Sequence, residues 1–270
     1  MVVFPNAKIN IGLYVTGKRP DGYHELQSVF YPLERLHDAL EIIPHPAGSG
    51  FQVTGAVMEA DPSENLCIKA LHLIREEYPQ LPPLLMHLHK QIPLGAGMGG
   101  GSADGAFTIR LLNSCFSLGL SENKMKELAL RLGSDCPFFI SNRPSFVTGR
   151  GEHIEPIKLD LSGYEILVLN PGIHVSTAWA FGQLRLENRT IKLDEWIQLP
   201  VNEWRHSISN DFEEPVMAAY PQIAALKSTL YEAGALYASM SGSGSTVFGI
   251  FPKGHKPDIK IPPGYFQKWT

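Results

Sequence analysis

Pro93-Leu94-Gly95-Ala96-Gly97-Met98-Gly99-Gly100-Gly101-Ser102-Ala103 is the stretch on which the reading of this chain turns. The run before it, LLMHLHKQI (84–92), is strand-like, and the run after it, Ser102 to Leu112, has the apolar spacing of a helix. Glycine fills five of the seven positions from 95 to 101. Unobstructed backbone N–H groups can therefore converge on an anion beside the positive end of a helix dipole, and phosphate is the obvious guest. A flexible turn is the plainer alternative. Two phosphate-binding frames fit only in part. Gly95, Gly97 and Gly100 satisfy G-x-G-x-x-G, but no second strand ending in an acidic residue follows about 20 residues later. Glu122 lies at that distance, yet in the helix-start context Ser121-Glu122-Asn123. The frame G-x-x-x-x-G-K-[ST] also fits, except that Gly101 stands where the lysine belongs. Positive charge on a transferring phosphoryl would then come from elsewhere, such as Mg²⁺ or a distant side chain.

Working outward, AKINIGLYV (7–15) alternates, with Ala7, Ile9, Ile11 and Leu13 on one face and Lys8 and Asn10 on the other, as in a half-buried strand. The turn residues Gly17, Pro20, Asp21 and Gly22 follow, then a second strand through Leu33. LEIIP (40–44) and FQVTG (51–55) read as strands, Glu64–Tyr78 and Glu122–Leu132 as helices. Beyond Gly149-Arg150-Gly151 the pattern becomes strand (165–171), helix, helix and strand. A helix at Ile223–Glu232 precedes ALYASM and TVFGIF, which flank Ser241-Gly242-Ser243-Gly244-Ser245. Strands and helices that mix without regular βαβ alternation predict an α+β fold. The change of pattern near residue 150 divides the chain into domains at 1–150 and 151–270.

The 270 residues are 44% hydrophobic and 19% charged, the composition of a folded globular chain. Lys and Arg total 23 against 27 Asp and Glu, a net charge of −4, so no global basic field gathers nucleic acid or anionic lipid. Cys67, Cys115 and Cys136 form neither a disulfide framework nor a zinc motif. The first ten residues lack a signal-peptide pattern, and no apolar run approaches the roughly 20 residues of a spanning helix, so the expected setting is the cytoplasm. His87 and His89 share a strand face without a third zinc ligand. Asp211-Phe212-Glu213 lacks the companions of a protein-kinase D-F-G, and there is no G-x-S-x-G elbow.

Taken together, Pro5-Asn6-Ala7-Lys8-Ile9-Asn10, the lysine-free glycine loop and the late Ser241–Ser245 turn resemble the GHMP kinases over residues 5 to about 250. Ala7–Asn10, Asp21-Gly22-Tyr23-His24, Pro93–Ala103 and Gly133-Ser134-Asp135-Cys136-Pro137 are similar, more narrowly, to the branch acting on 4-diphosphocytidyl-2-C-methyl-D-erythritol in non-mevalonate isoprenoid synthesis. The resemblance implies a two-domain kinase fold with its active site in the inter-domain cleft. It further implies ATP bound by Pro93, Leu94, Gly95, Ala96, Gly97, Met98, Gly99, Gly100, Gly101, Ser102 and Ala103, together with Mg²⁺. The acceptor is a small molecule bearing a cytidine diphosphate, phosphorylated at its 2-hydroxyl. Other acceptors, mevalonate or homoserine, and a non-catalytic sensor of the same fold are the rival readings.

By the same resemblance Asp135 is the general base, and Lys8 keeps it ionised or neutralises the phosphoryl. Local context instead makes Asp135 a helix cap and Lys8 a solvated strand residue. Asn10 is implied as a contact to the acceptor polyol. Tyr23 and Phe181 become walls of a cytosine clamp, His24 a partner for the base edge and Thr177 a polar contact. Ordinary aromatic packing is the alternative for each ring, and Trp179 competes for the stacking role. Ser241–Ser245 lines the phosphates by the same analogy, or is only a hairpin turn. Asn65, Leu66 and Lys90 are the residues it brings toward the adenine.

Overall fold

The computed structural model describes residues 1–56, 62–185 and 190–270. Its elements begin with β1 (Val2–Val3), β2 (Asn6–Lys18), β3 (His24–His37), β4 (Ala39–Pro44), β5 (Gly50–Gly55), α1 (Leu66–Glu77), β6 (Leu84–Lys90), α2 (Gly100–Cys115), α3 (Glu122–Leu132) and α4 (Cys136–Ser141). They continue with β7 (Ser145–Gly149), β8 (His153–Pro156), β9 (Tyr164–Asn170), α5 (Thr177–Gln183), α6 (Leu193–Trp196), α7 (Trp204–Ser207), α8 (Glu213–Ala219), α9 (Pro221–Glu232), β10 (Tyr237–Met240), β11 (Val247–Pro252) and β12 (Phe266–Trp269). Two compact units result, one of residues 1–7, 32–94 and 99–143, the other of residues 8–31, 95–98 and 144–270.

In the first unit the sheet runs β1-β4-β6-β5, with β5 parallel to β6 and the other pairs antiparallel. A parallel neighbour needs a crossover, and α1 supplies it. The alternating row Leu84, Met86, Leu88 and Lys90 of β6 points inward, leaving His87 and His89 on the other face beside Thr54 of β5. Helix α2 buries Ala103 to Ile109 without interruption, and Leu111 and Leu112 after them. A helix apolar on nearly every side belongs at the centre of a core, and α2 packs against α1, α3 and α4. Asn65 caps α1 through the Cys67 amide at 2.9 Å, and Ser121 caps α3 through the Lys124 amide at 3.2 Å.

The second unit holds an antiparallel sheet β10-β11-β9-β12 and the sheet β2-β3-β7-β8. Leu167, Leu169, Met240, Val247 and Phe251 of the first of these pack on Val216 of α8 and Ile223 and Leu230 of α9. The β7–β8 hairpin, β1 and β12 are not foreseen by the sequence reading, since two to five residues are too few to display a period. Strand β2 also differs from its expectation. Lys8 is 3% and Asn10 1% exposed, so its polar face is buried along with the apolar one. Among the described residues no helix is long and apolar enough to cross a membrane.

Phe248 is fully buried in β11, with its ring 5.9 Å from that of Tyr237. Phe248→Ala is expected to cost about 3–5 kcal/mol, read as a shift of the urea midpoint.

Candidate active site

Lys90 ends β6 and Gly100 begins α2, and the chain between them turns through glycines in left-handed conformation. The φ angles are +61° at Gly95, +77° at Gly97 and +68° at Gly99, a region costly for any residue with a Cβ. Gly97 is constrained by space as well, because a Cβ there would lie 2.1 Å from the carbonyl oxygen of Ser241. Gly99 occupies the N-cap of α2 and offers no side chain to cap it. The first intrahelical bond runs from the Ala103 amide to the Gly99 carbonyl at 2.8 Å, so the amides of Gly100, Gly101 and Ser102 precede the ladder. A Cβ at Gly101 would meet nothing within 4 Å. An open, uncapped start to a 16-residue helix suits a phosphate.

Asp135 belongs to the same unit. It is the N-cap of α4 by position, as local context predicts, yet its side chain makes no capping bond. The next residue, Cys136, is buried, which raises its thiol to about 12, with the Ser102 side chain opposing that rise. Helix α4 packs against α2, and that packing fixes the backbone that carries Asp135.

The first unit also holds a buried charge cluster. The Lys90 ammonium pairs with Asp38 and, at 2.6 Å, with Asp104; none of the three side chains is more than 4% exposed. Asp38 also accepts from the amides of Gln91 and Ile92 at 2.5 and 2.9 Å, fixing the chain as it leaves β6. Burial lifts the Asp104 carboxyl to about 8, with Lys90 opposing and Asp38 reinforcing the rise. The direction follows from the geometry. Two carboxylates share one ammonium, and Asp104 Oδ1 receives no hydrogen bond. Sequence reading missed both aspartates, whose only signal was a polar residue among apolar and small ones.

The second unit holds Lys8, Asn10, Tyr23, His24, Thr177 and Phe181. The Lys8 amide donates to the Met98 carbonyl at 2.9 Å, tying β2 to the glycine stretch 95–98. Its ammonium lies 2.5 Å from Asn10 Oδ1 and 4.3 Å from the centre of the Phe30 ring. Asn10 is bonded at both ends of its side chain, since its Nδ2 donates to Ser28 Oγ at 2.9 Å. The Ser241 hydroxyl donates to the Gly97 carbonyl at 2.8 Å and accepts from the Asn10 amide at 3.1 Å. Ser241–Ser245 is thus a hairpin connection between β10 and β11 and also a direct support of the glycine loop. Asn210 donates to the carbonyls of Met240 and Gly242, both at 2.8 Å, and holds that connection in place.

The aromatic residues have the following neighbours. Tyr23 follows Gly22 in the β2–β3 turn, is 54% exposed, and carries the Arg150 guanidinium 4.9 Å above its ring. His24 stacks on Phe181 at 4.6 Å and 17°, while the edge contact of Phe181 is to Phe212. Partial burial, with Lys18 nearby, lowers the His24 pKa, so the ring is neutral near pH 7 and can both donate and accept. Trp179 packs edge-on against Tyr220. Thr177 opens α5, with its hydroxyl 3.1 Å from that of Ser243. A cavity of about 650 Å³ also opens in this unit, but Asp211, Glu213 and Glu214 line it, a poor environment for a triphosphate.

Two family models match the chain, the GHMP kinases N terminal domain over residues 65–143 and the GHMP kinases C terminal over residues 198–260. It is 48% identical over 264 residues to a 4-diphosphocytidyl-2-C-methyl-D-erythritol kinase of Bacteroides fragilis, covering 97% of this chain and 94% of that protein. A protein of the same name from Bacteroides thetaiotaomicron is 48% identical over 262 residues, covering 96% and 95%. The crystal structure of a 4-(cytidine 5'-diphospho)-2C-methyl-D-erythritol kinase superposes with a TM-score of 0.80 at 30% identity, covering 93% of this chain and 90% of that one.

Gly97→Ala is expected to displace the loop and raise the nucleotide Kd at least tenfold, measured by calorimetry with a non-hydrolysable ATP analogue. Asp104 holds its proton to a higher pH folded than at its ordinary 3.8. Its contribution to stability is therefore full below about pH 4 and declines as pH rises through about 8. Asp104→Asn should accordingly gain on the wild-type urea midpoint between pH 5 and pH 8.5; a constant difference would refute the assignment.

Proposed function

The chain belongs to the GHMP kinases, and we propose that it phosphorylates the 2-hydroxyl of 4-diphosphocytidyl-2-C-methyl-D-erythritol with ATP. Relatives at 48% identity over nearly their whole length carry the name of that kinase. The cytoplasm, where thiols stay reduced, suits Cys67, Cys115 and Cys136. Residues 1–150 carry the nucleotide loop, and residues 151–270 contribute Thr177 and Phe181 to recognition of the acceptor.

The observation that supports the chemistry is the packing of α4, which Asp135 precedes, against α2, the helix whose open start suits a phosphate. The triphosphate lies on residues 93–103, its oxygens on the amides that precede the α2 ladder. Asp135 takes the proton of the acceptor hydroxyl as that oxygen attacks the γ-phosphorus in line. The bond from γ-phosphorus to the β–γ bridging oxygen breaks, and ADP leaves with its electron pair. Lys8 supplies the positive charge that Gly101, standing where a loop lysine would, does not. Positioning and charge do the work, without a covalent intermediate.

Among the described residues no three His, Cys, Asp or Glu side chains gather as a metal cage. This donor set fits Mg²⁺ arriving with the nucleotide, with the Ser102 hydroxyl at the helix start as a protein contact. When bound, the ion neutralises charge on the β- and γ-phosphates. Tyr23 offers its exposed face to the cytosine, which Phe181 and His24 border, with Thr177 nearby. Stacking on such a ring contributes roughly 1–3 kcal/mol.

ADP release measured with 4-diphosphocytidyl-2-C-methyl-D-erythritol, mevalonate and homoserine tests the assignment. Turnover is expected with the first alone, and equal turnover with either of the others would overturn it. Asp135→Asn should lower kcat by roughly 10²–10⁴-fold and leave the nucleotide Kd within twofold; unchanged kcat removes Asp135 as base.

A further inference from the structure

Resting on the role of Lys8 just described, we infer that Ser28 is a positioning residue that sets the Lys8 ammonium through Asn10. Ser28 lies on β3, 2% exposed, in the row with Leu26 and Phe30. Its hydroxyl donates to the Gly12 carbonyl at 2.6 Å. That bond commits the only proton the hydroxyl has, so toward Asn10, 2.9 Å away, Ser28 Oγ acts only as an acceptor. An acceptor there requires the Asn10 NH₂ end. The carbonyl end, Oδ1, then faces the other way, where the Lys8 ammonium lies at 2.5 Å.

The order of commitments decides which end of the amide the lysine sees. Gly12 fixes the Ser28 proton, Ser28 fixes the Asn10 amide, and Asn10 presents an acceptor to a group that can only donate. With the hydroxyl removed, nothing on this side distinguishes the two amide orientations. A flipped Asn10 turns NH₂ toward NH₃⁺, and the ammonium must shift. The Phe30 ring, two residues along β3, supports the same charge from another direction. Neither Ser28 nor Asn10 has to touch a substrate for this to operate. The second connection of Asn10, its backbone amide to Ser241 Oγ, links the arrangement to the residue that bonds the Gly97 carbonyl.

Steady-state kinetics on four variants test the inference. Ser28→Ala is expected to lower kcat on the order of tenfold, the value of one charge-assisted hydrogen bond, with KM for ATP and for the acceptor within twofold. Ser28→Thr, which keeps the hydroxyl, should retain most of kcat, while Ser28→Val, matched to threonine in size, should not. This pair carries the test if the alanine variant does not fold. In a Lys8→Met background the loss from Ser28→Ala should vanish, because a residue acting through Lys8 has nothing left to position. An equal loss in both backgrounds, or a change confined to KM, shows a merely structural serine and overturns the inference. Wild-type kcat in Ser28→Ala with Lys8→Met impaired overturns it while leaving the role of Lys8 intact. Wild-type kcat in Lys8→Met overturns both.

Discussion

The closest constraint in the second unit is the approach of the Gly97 backbone to the Ser241 carbonyl, so tight that a methyl group would lie 2.1 Å from the oxygen. Around this contact three distant parts of the chain are fastened to one another. The Ser241 hydroxyl joins the Gly97 carbonyl to the Asn10 amide, and the Met98 carbonyl takes the Lys8 amide. Because each bond uses main chain on at least one side, the loop is held by its own backbone.

The first unit solves a different problem with buried charge. Removing Lys90, Asp38 and Asp104 from water is costly unless each finds partners. The pairing of the lysine with both carboxylates, and the bonds from Asp38 to two successive amides, meet most of that requirement. What remains unmet is Asp104 Oδ1, and burial, with Asp38 reinforcing it, raises that carboxyl. Ordinary apolar packing would stabilise this place at least as well. The charged cluster has instead a geometric effect, since it fixes both the exit from β6 and the first turn of α2, the two ends between which the glycines turn.

A recurring feature is that polar side chains on buried strand rows are engaged with one another. Ser28 interrupts the row Leu26–Phe30, Lys90 ends the row Leu84–Leu88, and Lys8 and Asn10 form the inner face of β2. Each has its polar atoms matched to a specific donor or acceptor, as burial demands. Asp135 stands at a capping position, yet its side chain makes no capping bond. His24 stacks on one face of Phe181, while Tyr23 is more than half exposed.

The amino-acid order by itself determined the α+β class, the long strands and helices and the glycine-rich turn between β6 and α2, because period, capping residues and glycine spacing are local properties that survive without tertiary contacts. It also carried the motifs by which the family is recognised. It did not determine that the polar face of β2 would be buried, for a strand's second face is covered or solvated according to elements far away in the chain. Nor did it reveal Asp38, Asp104, Asn210 or Ser28, which are unremarkable residues until folding sets a lysine, an amide or a carbonyl beside them. Short pieces such as β1, the β7–β8 hairpin and β12 escaped for a related reason. Their conformation is imposed by the strand each pairs with, and two to five residues carry too little periodicity to announce it.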